Sequence, residues 1–167
     1  MQIPLSTPPP PCQEFTCLCC GQPGRSVSVT TLKSLLRPEV QSRLPSLDGY
    51  CFCATSSCAV AYFHLATRET MVTGEVSVPI FQKSKEPERL VCYCFQHTVA
   101  EIQREVRSTG ISPILTDIKT SCAQHLDDCK HTNPQGSCCL GNVQRVIQDA
   151  VRKDPSSSSE DGGCCCQ

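Results

Sequence analysis

The sequence predicts an α+β fold in two halves, one of short strands and one of helices. Three observations predict it. Apolar and polar residues alternate along short runs between residues 27 and 80. Apolar residues recur at helical spacing from residue 98 to residue 151. Cysteines, 16 in 167 residues, crowd at the turns of the first half and ahead of the helices of the second.

Residues 1–14 are proline-rich and read as an extended, mobile N-terminus. Residues 15–81 form the strand-bearing half. Val27 and Val29 alternate with serine, as in a short strand. Thr31 is placed to cap a short helix carrying Leu32, Leu35 and Leu36 on one face, which Pro38 interrupts. Tyr50–Cys53 and Ala59–His64 read as hairpin strands around the turn between Cys53 and Cys58. Val76, Val78 and Ile80 read as a further strand. Residues 82–89 are a polar connector. Residues 90–153 form the helical half. There Thr98 and Glu101 make a capping box, Val99, Ile102 and Val106 share one face, and Gly110 ends the helix. Ile114, Leu115, Ile118 and Cys122 suggest a second helix, and Leu140 to Val151 a third. Residues 154–167 are a serine-rich linker with a cysteine tail.

Composition narrows the function. A net charge of −1 presents no basic surface for nucleic acid. No stretch is long and apolar enough to span a bilayer, and the first residues lack the charge and apolar run of a secretory signal. The expected compartment is therefore the cytoplasm, where clustered thiols stay reduced and bind metal. Spacing agrees. Adjacent Cα atoms lie about 3.8 Å apart, whereas disulfides need about 4.4–6.8 Å. Runs such as Cys19-Cys20 and Cys138-Cys139 therefore suit metal better than mutual pairing. With only 5 Phe, 3 Tyr and no Trp, the core is modest, and metal–thiolate bonds would supplement it. No phosphate-binding glycine loop, nucleotide fingerprint or hydrolytic triad is present, so the motifs indicate no catalytic residues.

Cys17 and Cys20 form a C-x-x-C followed by Gly21, and Cys53 and Cys58 form a C-x₄-C at the hairpin turn. Two such knuckles supply four soft ligands, as in a tetrahedral structural zinc site with no open position for catalysis. Cys19 and Cys51 are close enough in sequence to stand in for a neighbour.

Cys92 and Cys94 precede the Thr98 capping box. Cys129, Cys138 and Cys139 flank the turn Asn133-Pro134-Gln135-Gly136 and precede the third helix. Helix starts offer unsatisfied N–H groups and partial positive charge. That suits an anionic, thiolate-held 2Fe–2S cluster, and hydrogen bonds to its sulfurs raise its potential. His64, His97, His125 and His131 are isolated and read as surface or supporting groups.

These residues resemble a known family. The second half is similar to the helical 2Fe–2S fold of bacterioferritin-associated ferredoxin. Residues 15–148 resemble the N-terminal metal-binding domain of the CopZ copper chaperones. The resemblance rests on Cys17-x-x-Cys20-Gly21, Thr31-Leu32 with Leu35-Leu36, Tyr50 to Cys53 with Cys58 to Phe63, Val91 to Cys94, and above all Thr132 to Gly141. It implies a zinc-ribbon-like half holding Zn²⁺ at Cys17, Cys20, Cys53 and Cys58. It also implies a small helical half holding a 2Fe–2S cluster at Cys92, Cys94, Cys129 and Cys139, with Cys138 the near neighbour. The implied role is electron transfer and copper handling: reduction of Cu(II), or handling of Cu(I), with an electron-donor protein and a copper chaperone domain or copper-export ATPase as partners. The sequence departs from the family in Leu18, where a proline is usual, in the extra Cys19 and Cys51, and in ending without the chaperone domain. Cys164, Cys165 and Cys166 offer soft ligands on a tether, suited to Cu(I). Two other roles fit the composition: a non-redox interaction module with structural metals, and a cysteine-rich Cu(I) buffer.

Overall fold

The computed structural model describes residues 15–153. Cys12 and the tail cysteines Cys164, Cys165 and Cys166 lie outside the described residues, as do the proline-rich start and the serine-rich linker. The fold is α+β. A four-stranded antiparallel sheet runs in the order β1 (Arg25–Ser26), β2 (Tyr50–Phe52), β3 (Val60–His64), β4 (Thr70–Val72). Helices α1 (Val29–Leu35) and α2 (Pro38–Ser42) lie between β1 and β2 in the chain. A two-stranded ribbon follows, β5 (Leu90–Cys92) with β6 (His97–Thr98). Then come α3 (Val99–Thr109), α4 (Ile114–Ala123), the single turn α5 (Cys129–Thr132) and α6 (Leu140–Lys153). No helix among the described residues is long and apolar enough to cross a membrane.

Local chemistry explains where these elements start and stop. Ser28, not Thr31, caps α1: its Oγ accepts the Thr31 N–H at 3.2 Å. That makes Val29 the first helical residue and confines β1 to Arg25–Ser26, ahead of the Val27–Val29 alternation. Pro38 starts α2 at a position where its missing N–H costs nothing. The alternation from Val76 to Ile80 is not a strand. Val76 makes an isolated bridge to Leu36, and Ser77 N–H donates to the Leu35 carbonyl. The segment instead buries Val76 and Ile80 against the end of α1, and Pro79 has no N–H to continue a ladder. The expected capping box is present: Thr98 Oγ1 accepts the Glu101 N–H at 3.1 Å, and Glu101 accepts the Thr98 N–H at 3.3 Å. Gly110 closes α3 in the left-handed region, at φ 77°.

Three groups of buried side chains hold the structure. Leu32, Leu35, Phe52, Tyr62 and Met71 anchor the first, between the sheet and α1–α2. Ile102, Val106, Ile114, Ile118 and Val143 anchor the second, among α3, α4 and α6. The third is small and sulfur-rich: Cys17, Cys51, Cys53 and Cys58 with Val60 and Phe63. Truncating one of the fully buried aliphatics to alanine costs about 2–5 kcal/mol. The strand-bearing and helical regions are tied directly. Buried Tyr62 donates its hydroxyl proton to the Pro134 carbonyl at 2.7 Å, and the Gln82 amide donates to Gln135 Oε1 at 2.7 Å. Gly136, at φ 67°, sits where a Cβ would come within 2.9 Å of Thr31 Oγ1 on α1.

Candidate metal centres

The first sulfur site is built by two turns that the sheet brings face to face. Cys17 N–H donates to the Gln22 carbonyl and Gly21 N–H to the Cys17 carbonyl, each at 2.8 Å, closing the first knuckle. The pairing of Arg25 with Phe52 then lays this knuckle beside the end of β2. Cys53 follows β2 directly, held by its N–H to the Ala61 carbonyl at 2.9 Å, and Cys58 N–H donates to the Thr55 carbonyl at 3.2 Å. As a result the sulfurs of Cys17, Cys20, Cys53 and Cys58 all lie within 4.8 Å of one another. Cys17 and Cys58 are 3.9 Å apart, and Cys20 and Cys53 3.7 Å. Such a quartet surrounds one ion at bond lengths of about 2.3 Å, so the donor set fits Zn²⁺ and also Cu⁺.

The surroundings favour thiolate at one corner and thiol at the others. The Thr55 hydroxyl, 3.4 Å from Cys20 Sγ, and the Gln22 backbone lower the Cys20 pKa to about 6. Burial raises Cys17 and Cys53, and raises Cys58 to about 11. A divalent cation reverses that preference by its own charge. Four thiolates around Zn²⁺ would carry an excess negative charge, and Lys83 is bonded to the backbone of the second knuckle. Its ammonium donates to the carbonyls of Thr55 at 2.8 Å and Cys58 at 2.9 Å, pinning the second knuckle. Sequence reasoning missed Thr55 and Lys83. Thr55 lies inside the C-x₄-C, where a hydroxyl signal existed; Lys83 comes from the connector and has no local signature. Cys51 is buried on β2, paired opposite Phe63, and outside the quartet. Cys19 is exposed and also outside it.

The second site gathers sulfurs differently. Cys92 ends β5 and Cys94 follows in the turn of the ribbon, where Gln96 adopts φ 60°. Cys129 is the first residue of α5 and Cys139 immediately precedes α6, its carbonyl accepting from Asn142 and Val143 N–H. Buried Asn133 shapes the loop between them. Its amide donates to the Ser137 carbonyl at 2.9 Å, while its Oδ1 accepts from Gln135 N–H at 3.2 Å. The four sulfurs meet as two pairs. Cys94 and Cys129 are 3.5 Å apart, and Cys92 and Cys139 lie together in the buried helical core. Cys139 is buried and Cys138 exposed, so of these neighbours Cys139 is the one turned into the site.

The Cys139 thiol lowers Cys92 to about 6 and is itself raised, by Cys92 and by burial. Burial and the Cys94 sulfur raise Cys129. A backbone donor also reaches the sulfurs, with Asp128 N–H at 3.2 Å from Cys94 Sγ, and the Phe95 backbone helps to lower the Cys92 pKa. Thr132 Oγ1 lies 3.3 Å from Cys94 Sγ. Of the histidines, His97 adds positive potential near Cys92 and contacts Glu101 at 3.1 Å, whereas His131 pairs with Asp128 at the surface.

A four-cysteine zinc-binding domain on a small antiparallel sheet, joined to a helical region with a second sulfur group, is the class these features define. Known proteins place it further. Residues 14–77 match the zf_CopZ family model, described as a zinc binding domain. The chain is 27% identical over 127 residues to the copper chaperone CopZ of Archaeoglobus fulgidus, an alignment covering 76% of this chain and 59% of that protein. The X-ray structure of the Archaeoglobus fulgidus CopZ N-terminal domain superposes with a TM-score of 0.64 at 25% identity, over 79% of this chain and 97% of that one. The chain carries a CopZ-N-terminal-like domain.

Proposed function

We infer that this chain is a metal-handling protein in which Cys17, Cys20, Cys53 and Cys58 hold a structural zinc, and Cys92, Cys94, Cys129 and Cys139 hold a 2Fe–2S cluster. The observation that supports the cluster is the gathering of these four cysteines as pairs, Cys94 at 3.5 Å from Cys129 and Cys92 with Cys139 in the buried helical core. One ion needs a single tetrahedron; a binuclear cluster needs a pair of thiolates at each end. Such a cluster supplies one electron at a time, enough to convert one Cu(II) to Cu(I). The protein's own groups do the rest. The Asp128 and Phe95 N–H groups and Thr132 steady the sulfurs, favouring the reduced, more negative state. Cys92 and Cys139 sit in the buried helical core, which limits water at that edge.

The role extends the CopZ likeness to copper homeostasis in the cytoplasm, with an electron-donor protein and a copper chaperone domain or copper-export ATPase as partners. The chain spans 59% of its curated relative's length, so those partners belong to this proposal alone. Cys164, Cys165 and Cys166 are proposed as Cu(I) ligands. Anaerobic purification followed by metal, sulfide and visible-spectrum measurement tests the reading. About two irons and one zinc per chain are expected, with Cu(II) reduced by the dithionite-treated protein. Colourless, iron-free protein carrying zinc alone would leave the first site and remove the second. Removing residues 164–167 should lower Cu(I) stoichiometry; an unchanged titration removes the tail from the proposal.

A further inference from the structure

A cleft that neither sulfur site uses runs where the strand-bearing and helical regions meet. It consists of two cavities of about 240 Å³ and about 410 Å³ that share Ala54, Gln82 and Arg145. The larger falls within the scale of small-ligand sites, roughly 300–1,000 Å³, and the smaller lies just below it. Its charged lining is entirely cationic: Arg25 from β1, Lys85 and Arg89 from the connector, and Arg145 from α6. Glu86 and Glu88 are neighbours in sequence, but both are exposed and neither lines it. Among the described residues, none of the four cations forms an ion pair. Arg89 lies over the Phe81 ring at 5.3 Å and donates through Nη1 to the Glu86 carbonyl at 2.8 Å, yet its Nε is buried with no acceptor. Four uncompensated cations repel one another, and a buried donor without an acceptor is unfavourable. An anion in the cleft relieves the repulsion.

The smaller cavity adds a chemical detail. The exposed thiol of Cys138 lines it together with Arg25 and Arg145. The amides around it are committed to one another: Asn142 and Gln82 both donate to Gln135 Oε1, and Gln135 donates to the Cys138 carbonyl at 2.9 Å. The wall is thus fixed by its own hydrogen bonds, while the guanidinium groups and the thiol are free for a ligand.

We propose that this cleft binds a small anionic thiol, a peptide of the glutathione type, with its carboxylates on Arg25 and Arg145 and its sulfur beside Cys138. Arginine meets carboxylate through two parallel hydrogen bonds, which suits this pair. The binding does not depend on copper. One consequence does rest on the copper reading: Cu(I) carried by such a thiol is an anionic complex, and the cleft would draw it to the edge of the second sulfur site.

The test is calorimetric titration of the full metal-loaded chain, kept anaerobic, with reduced glutathione, S-methylglutathione, citrate and inorganic phosphate. Saturable one-to-one binding of glutathione is expected, weakening as salt rises. Arg25→Gln and Arg145→Gln should each weaken it by about tenfold, a loss of about 1.4 kcal/mol. Both side chains are exposed, and unchanged zinc content and thermal midpoint would establish that the variants fold. Shifts of the Gln82 and Asn142 amide NMR signals on titration would locate the ligand. No saturation, or binding indifferent to both substitutions, overturns the proposal. Tighter binding of citrate or phosphate than of glutathione overturns the choice of a thiol. Glutathione binding without any iron in the protein would sink the cluster reading and leave this one standing.

Discussion

The two sulfur groups use the same ligand but opposite architectures. In the first, turns at the edge of a sheet bring four thiols within 4.8 Å, a space the size of one ion. In the second, a β-ribbon and two helix starts present two pairs, one of them 3.5 Å across. The first group sits with Val60 and Phe63 in a core of its own, while Cys92 and Cys139 belong to the main helical core. The lesson is that a cysteine count does not define a centre. What defines it is whether the backbone makes the sulfurs meet at a point or along a line.

Removing one sulfur from each group should have the largest effect. Cys53→Ser should abolish zinc binding and, because the knuckles have little other core, lower the thermal midpoint of the sheet region; zinc analysis and thermal denaturation followed by circular dichroism would show both. Cys139→Ser should abolish iron and colour while zinc stays near one per chain. If Cys139→Ser releases zinc as readily as iron, the two centres are one cooperative unit and the distinction fails.

A smaller effect is expected where the regions touch. Gly136 combines a φ of 67° with a position 2.9 Å from Thr31 Oγ1 once a Cβ is added. Gly136→Ala must strain the backbone and push on α1, at about 1–2 kcal/mol for the left-handed conformation alone. A lowered denaturant midpoint with unchanged slope would match. Because the loop lies between Cys129 and Cys139, iron retention should fall while zinc retention holds.

The sequence made some of this legible and hid the rest for identifiable reasons. C-x-x-C and C-x₄-C are local, so the quartet could be read directly. The Thr98 capping box and Gly110 are also local, and α3 fell where they placed it. The Val27–Val29 alternation misled because Ser28 found a better use for its hydroxyl, as the cap of α1. The run from Val76 to Ile80 misled because burial alone produces alternation; the pairing partner was the end of a helix. β4 went unread because only Met71 of its three residues is buried. Lys83 and the basic cleft depend on tertiary placement, which no spacing along the chain encodes.

Two smaller effects sharpen the contrast between a helix held by local bonds and a sheet held at its margin. Thr98→Ala removes half of the capping box and should cost about 1 kcal/mol, seen as a lower thermal midpoint. The sheet's counterpart is Tyr50, whose hydroxyl donates to Glu69 Oε2 at 2.7 Å. That bond, with the Thr67 hydroxyl, holds the Glu69 carboxyl below the usual glutamate range. A group depressed in the folded state contributes stability above its unfolded pKa and loses it as pH falls through the folded value. The contribution should therefore be complete at neutral pH and fade in the acid range below the ordinary glutamate value. Glu69 is only partly buried, so salt should weaken the effect. Tyr50→Phe removes the donor. Its thermal midpoint should fall below that of the parent at neutral pH, and the gap should close on acidification. Zinc release confounds the acid limb, so the comparison is made at equal zinc occupancy. A gap that stays constant with pH would assign the loss to ring packing against His64, 5.1 Å away, and not to the carboxylate.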